Sequence, residues 1–372
     1  MKRGNPDKTQ PSPPDAAADF FTRSLMRWHK HDNHRTMPWK GERDPYRIWL
    51  SEIILQQTRV EQGWAYYERF IRTYPDVRSL AAAPDAEVFK LWEGLGYYAR
   101  CRNLLKAARQ VVSDHGGVFP PDHGAILALQ GVGPYTAAAV SSFAFGLPHA
   151  VVDGNVLRVL ARYFGVQESV DEGPVRRRLE AWAQRLLYRE DPGAYNQAIM
   201  DFGATVCKPA SPKCAECPLA DGCQAFRLSC QDELPVRTAK PARRLRWMDY
   251  LIPVFGHSLP LRERTGRDVW RHLFEPILIE SPMPTDETEL CAHPMLLAMN
   301  GGSAPGVYEC SNPYVQLLTH QQISGRFLVF RPVTRPLLPD GYQWVDIAEL
   351  PSVALPRHVR QFFDRHSSLS AG

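Results

Sequence analysis

Four cysteines lie within seventeen residues: Cys207, Cys214, Cys217 and Cys223, spaced C-x6-C-x2-C-x5-C. Thiolates packed this densely can close around a tetrahedral metal ion or a cubane cluster. Zinc ribbons carry two C-x2-C knuckles separated by a longer span. Only one knuckle is present, so the spacing favours a [4Fe–4S] cluster, with zinc, disulfides and unrelated buried thiols as the other readings. The remaining cysteines, Cys101, Cys230, Cys291 and Cys310, are scattered.

Two carboxylates stand in informative surroundings. Glu52 is flanked by Leu50, Ile53 and Ile54, so desolvation on an apolar helix would keep its carboxyl protonated near neutral pH; on local pattern alone it also reads as a helix-surface glutamate. Asp153, in Val151-Val152-Asp153-Gly154-Asn155, reads as an acid at the start of a helix, where a simple N-cap is the competing account. Upstream, Leu129-Gln130-Gly131-Val132-Gly133-Pro134-Tyr135 leads into an apolar run. Such a turn can aim backbone N–H groups at a phosphate from a helix N-terminus.

The elements that must carry these residues fall into two classes. From Ala16 to about Pro218 apolar residues recur at helix spacing, as in Trp49-Ile53-Ile54-Gln57 and Leu104-Leu105-Ala108-Val111-Val112, and helix starts are expected at Ser51, Pro84-Asp85 and Pro121-Asp122. Leu234–Arg246 holds two prolines and five basic residues with no acid, the pattern of an extended linker. Beyond it, Asp249–Val254, Pro276–Glu280, Val315–Thr319 and Arg326–Phe330 are strand-like runs broken by Pro and Gly. The expectation is a multidomain chain: a disordered lead over 1–15, an all-α core over 16–225, a basic linker over 226–246 and an α+β domain over 247–368.

The bulk properties exclude little. A net charge of +4 suits a nucleic-acid binder without demonstrating one. The first residues lack the apolar core of a secretory signal, and the longest apolar stretch, Thr136–Val152, is broken by Ser141, Ser142, Pro148 and His149. A cytosolic, non-membrane protein with reduced cysteines is therefore expected.

Hairpin, aspartate and four-cysteine loop, in this order, resemble the endonuclease III superfamily of DNA glycosylases over nearly all of the first 225 residues. Within it, Trp49-Leu-Ser-Glu52-Ile-Ile-Leu-Gln-Gln57-Thr58, the preceding Pro38-Trp39 and the following Gly94-Leu-Gly-Tyr97-Tyr-Ala-Arg100-Cys resemble the MutY adenine-glycosylase branch. The resemblance implies a helix-hairpin-helix core with a [4Fe–4S] loop, acting as a monomer on double-stranded DNA that carries adenine opposite 8-oxoguanine or guanine. It makes Glu52 the general acid toward the adenine ring and Asp153 the stabiliser of positive charge on the sugar. Strand-nicking members place a lysine at position 135 to form a Schiff base. Tyr135 cannot do so, which implies hydrolytic, monofunctional chemistry, with Tyr135 hydrogen bonding in the pocket beside Asn155.

Adenine must leave the duplex to be reached. The resemblance places Gln57 and Tyr97 as the residues that wedge into the stack, Gly131 and Gly133 in the DNA-binding hairpin, and Arg35 and Lys40 at pocket-lining positions. Lys40 stands where an arginine is common. In the last third, Leu318-Thr319-His320 resembles the Phe-Ser-His segment that reads oxidised guanine. The hydroxyl is kept and the aromatic is lost. The domain resembles a Nudix-related reader, but lacks the glutamate-rich box that would bind magnesium. The alternatives are a thymine-mismatch or oxidised-pyrimidine glycosylase of the same superfamily, or a non-catalytic iron–sulfur DNA sensor.

Overall fold

The computed structural model describes residues 14–37, 40–239 and 241–366. The expected disordered lead, Pro38-Trp39 and Lys240 lie outside them, except that Asp15 already opens the first helix. The chain divides into two compact units, residues 1–81 with 106–239, and residues 82–105 with 240–372. This grouping differs from a purely sequential division, because the segment holding Tyr97 goes with the C-terminal third.

Among the described residues up to Arg227 every regular element is helical: α1 (Asp15–His31), α2 (Pro45–Leu55), α3 (Val60–Thr73), α4 (Val77–Ala82), α5 (Asp85–Trp92), α6 (Ala99–His115), α7 (His123–Leu127), α8 (Pro134–Phe145), α9 (Gly154–Phe164), α10 (Gly173–Leu186), α11 (Pro192–Thr205) and α12 (Gln224–Arg227), besides two 3-10 turns. The expected starts at Pro84 and Asp122 are both caps, the latter accepting from the Ala125 N–H at 2.8 Å. Ser51 is not a start. α2 begins at Asp44-Pro45, where Asp44 accepts from Tyr46 N–H at 2.8 Å. Ser51 sits in the helix interior and donates back to the Ile48 carbonyl at 2.8 Å, as an internal serine can.

In the helical unit α2 packs on α8, and α11 packs on both α8 and α9. α2 is buried nearly all round, from Tyr46 through Ile54, so it is a central helix rather than an amphipathic surface one. A second apolar cluster gathers α1, α9, α10 and α11 around Phe21, Leu160, Trp182 and Phe202, with Cys207, Cys217 and Cys223 at its margin.

The C-terminal unit is α+β. Its larger sheet runs β5-β8-β1-β7-β6, with β4 also on β1, and a second sheet runs β3-β2-β9. The strands are β1 (Arg244–Pro253), β2 (Ser258–Glu263), β3 (Phe274–Glu275), β4 (Ile277–Ser281), β5 (Tyr308–Cys310), β6 (Tyr314–Leu317), β7 (Gln321–Gly325), β8 (Phe327–Phe330) and β9 (Gln343–Asp346). Short helices α13 (Glu287–Cys291), α14 (Pro294–Met299) and α15 (Arg357–Arg365) accompany them. β1 is central. It pairs in parallel with β7 through Arg244–Trp247 and with β8 through Tyr250–Pro253, and antiparallel with β4.

The basic stretch is not one free linker. Val236 accepts from the Val170 N–H at 3.1 Å, and Asp171 binds Arg237 at 2.8 Å and the Thr238 N–H at 3.1 Å. Arg244–Arg246 already belong to β1. Charge density misled here because Arg237 and Arg246 bind fixed acids and Arg243 donates to the Leu318 carbonyl at 2.9 Å. Among the described residues no helix is long and apolar enough to cross a membrane.

Candidate active site

Glu52 is 9% exposed, on the buried α2. Burial pushes its carboxyl up from 4.5 to about 7, a hydrogen bond from Tyr135 opposes this, and the charge of Asp153 adds to it. Tyr135, in the first turn of α8, is itself pushed well above the ordinary phenol range by burial and by the two acids. It therefore keeps its proton and serves as a donor, with the Met200 sulfur 3.8 Å from its hydroxyl.

Asp153 is both a cap and a cavity residue. Its Oδ1 accepts from the Val156 N–H at 2.7 Å and its Oδ2 from Asn155 Nδ2 at 2.7 Å. Asn155 is held in turn by Arg158, whose Nη2 donates to Asn155 Oδ1 at 2.9 Å and to the Gly203 carbonyl at 2.7 Å, while its Nε reaches the Cys207 carbonyl at 2.8 Å. α11 comes so close to α9 here that a Cβ on Gly203 would lie 2.7 Å from Asn155 Cβ. Only glycine permits that approach.

A cavity of about 960 Å³ joins Glu52, Asp153, Tyr135 and Asn155 with Gln57, Arg35, Gly131 and Gly133. Gly131 takes φ +75° in the turn between α7 and α8, and Gly133 caps α8, so the expected helix-hairpin-helix is formed. Gln57, exposed just past α2, has φ +59°, uncommon for a residue with a side chain. Lys40 is not among the residues lining this cavity. Its ammonium turns to the Arg35 carbonyl at 3.0 Å and to the buried Asp201 at 3.5 Å.

Asp201 is the residue that sequence reasoning missed. Fully buried on α11, it binds Arg35 at 2.9 Å, Asn33 at 2.9 Å and Gln197 at 2.9 Å, and so orients two cavity residues, Arg35 and Gln197. The available signal was the only acid within α11, one turn after Gln197.

Cys207, Cys214, Cys217 and Cys223 are all unpaired and half-buried. Burial raises the Cys217 thiol, and the other three cysteines around it raise it further. The buried Arg162 places Nη1 3.4 Å from Cys207 Sγ and bonds the Leu234, Lys208 and Pro209 carbonyls. Among the described residues no three His, Cys, Asp or Glu are gathered tightly enough for a single metal ion. Three of these thiols, Cys207, Cys217 and Cys223, lie at the margin of an apolar cluster, with the buried Arg162 beside Cys207; thiolates in apolar surroundings next to a cation are the kind of donor an iron–sulfur cluster takes.

In the other unit, Tyr97 is 45% exposed with φ +48°. Its hydroxyl and that of Thr319 are hydrogen bonded at 2.6 Å across 222 residues of chain. Thr319 and His320 are exposed on the turn between β6 and β7, and the half-buried Leu318 anchors that turn by donating to the Gln321 carbonyl at 2.8 Å.

Residues 50–185 match the HhH-GPD superfamily of base excision DNA repair proteins. An adenine DNA glycosylase of Buchnera aphidicola (subspecies Baizongia pistaciae) is 32% identical over 260 residues, covering 68% of this chain and 72% of that one. The chain belongs to the adenine DNA glycosylases. The human adenine DNA glycosylase is 40% identical over 228 residues, 59% of this chain and 42% of the human one. Among solved structures, a thermostable thymine-DNA glycosylase superposes with a TM-score of 0.52 at 32% identity, covering 57% of this chain and 98% of that one.

Proposed function

We propose that this adenine glycosylase flips adenine out of a mispair with 8-oxoguanine or guanine and hydrolyses its N-glycosidic bond, leaving an abasic site. The observation that carries the reading is the pairing of a buried acid at about 7, Glu52, with a second carboxylate, Asp153, in one cavity. Adenine anion is a poor leaving group, so the base needs a proton as the bond breaks. With its carboxyl at about 7, Glu52 keeps that proton in a large share of molecules near neutral pH. Tyr135 donates to the glutamate carboxyl, so an oxygen remains to serve a ring nitrogen of the base.

The C1′–N bond breaks with its electron pair leaving on the base, and positive charge develops on the sugar. Asp153, fixed by the Val156 N–H and Asn155, supplies the opposing charge, and a water oxygen then bonds to C1′. Position 135 carries a hydroxyl and not an amine, so no Schiff base forms there. Gln57 and Tyr97, both at positive φ, act as the wedges into the duplex. Gly131 and Gly133 present the hairpin to phosphate, and Arg35 lines the pocket. Leu318, Thr319 and His320 read the oxidised base from a Nudix-like domain. Cys207, Cys214, Cys217 and Cys223 would hold a [4Fe–4S] cluster, which when bound cross-links the loop they span.

The likeness to a thymine-DNA glycosylase makes thymine opposite guanine the competing substrate. Single-turnover excision on duplexes carrying A opposite 8-oxoguanine, G or T, and T opposite G, tests both. Excision of adenine that disappears in Glu52→Gln supports the proposal. Activity confined to thymine refutes it, and adenine excision that survives Glu52→Gln refutes the assignment of the acid.

A further inference from the structure

Tyr97 holds a backbone conformation that side chains other than glycine's adopt at a cost, and such a residue stays there only when its surroundings over-determine it. The surroundings converge on Arg100. This residue is 9% exposed, and its guanidinium carbon lies 5.4 Å from the centre of the Tyr97 ring and 5.2 Å from that of Trp92. Its Nη2 donates to the Leu95 carbonyl at 3.4 Å and the Gly96 carbonyl at 3.3 Å. Its backbone N–H closes the turn onto the Tyr97 carbonyl at 2.8 Å. Trp92 Nε1 donates to the same Gly96 carbonyl at 3.0 Å. One cation therefore binds the ring of Tyr97 and the two residues preceding it, against a fixed indole.

We infer that Arg100 is a positioning residue for Tyr97, setting the ring and its backbone in the wedging conformation before DNA binds. The inference rests on the reading of Tyr97 as a wedge. A planar guanidinium can stack on one ring while its N–H groups bridge two carbonyls, which a lysine ammonium cannot do. A wedge already ordered in the free protein avoids the entropy of ordering that ring on insertion.

The test uses the full-length, cluster-loaded protein as Tyr97→Ala, Arg100→Lys and the double variant. The DNA carries 2-aminopurine beside 8-oxoguanine in the strand opposite the target adenine, and its fluorescence rise reports loss of stacking. Arg100→Lys is expected to weaken mispair binding by roughly tenfold, the scale of a partly desolvated cation–π contact, and to reduce the fluorescence rise. In the Tyr97→Ala background, Arg100→Lys should add little. The inference is overturned if Arg100→Lys unstacks and binds DNA normally, or if its defect persists undiminished when Tyr97 is absent, as a merely structural role would require. If Tyr97→Ala binds and unstacks normally, the wedge reading fails and takes this inference with it; a silent Arg100→Lys beside a defective Tyr97→Ala sinks the inference alone.

Discussion

Replacing Glu52 by glutamine should remove catalysis and also change how stability depends on pH. Burial raises this carboxyl from 4.5 to about 7. Below about pH 4.5 the group is protonated in both folded and unfolded chains and contributes nothing to the pH dependence. Between about 4.5 and 7 the native protein keeps the proton and the unfolded chain does not, so stability falls as pH rises through this window. Above about pH 7 both forms are ionised and the loss levels off. At about 1.36 kcal/mol per pH unit, the difference between 4.5 and about 7 amounts to about 3 kcal/mol. Glutamine is neutral throughout and close in shape, so Glu52→Gln should gain on the unsubstituted protein by roughly that amount at pH 8 and show little advantage at pH 4.5. Denaturant midpoints of both proteins, measured from pH 4.5 to 8.5, check this. The single-turnover rate of the unsubstituted protein should decline as pH rises through about 7 and the folded acid loses its proton. Stability curves that run parallel for the two proteins would refute the buried-acid argument.

Gly203→Ala places a methyl 2.7 Å from Asn155 Cβ and should cost about 1–3 kcal/mol of overpacking; single-turnover excision should fall more than DNA affinity, because Asn155 supports Asp153. Arg158→Met leaves the Gly203 and Cys207 carbonyls without their donor and should cost about 1–3 kcal/mol for each acceptor left unsatisfied, read from thermal unfolding. Borohydride should trap no covalent enzyme–DNA adduct, since position 135 has no amine; strong trapping seen on a denaturing gel would contradict the hydrolytic reading. Serine at Cys214 or Cys217 should lower iron content and visible absorbance in the purified protein, and unchanged values would dismiss the cluster assignment.

Much of the site was legible because its signals are local. The flanks Leu50, Ile53 and Ile54 are enough to suggest a desolvated Glu52, and α2 is buried from Ile48 through Ile54. Asp153 was legible as a helix start, and the cap and the cavity residue are the same carboxylate. What stayed hidden depends on residues brought together by packing. Asp201 gains its meaning from Asn33 and Arg35, more than 160 positions away. Gly203 matters only because α11 crosses α9 at van der Waals range. Ser51 looked like a helix start because Ser commonly caps, whereas Asp44-Pro45 offered both a stronger acceptor and a preset φ. The basic run to Arg246 looked unstructured because composition does not show that Asp171 binds one of its arginines and Asp268 and Glu280 another.

The two catalytic candidates also show how one cavity keeps two carboxyls in different roles. Glu52 projects from the middle of a helix whose own backbone groups are already paired, so it receives no N–H from its helix and burial dominates. Asp153 stands at a helix N-terminus, where an orphan N–H and the helix dipole favour negative charge, and where Asn155 adds a second donor. Tyr135 hydrogen bonds to Glu52 without becoming charged itself, since burial and both acids hold its proton in place. The two carboxyls thus differ in their backbone surroundings: Glu52 lies mid-helix and buried, whereas Asp153 accepts hydrogen bonds at a helix start.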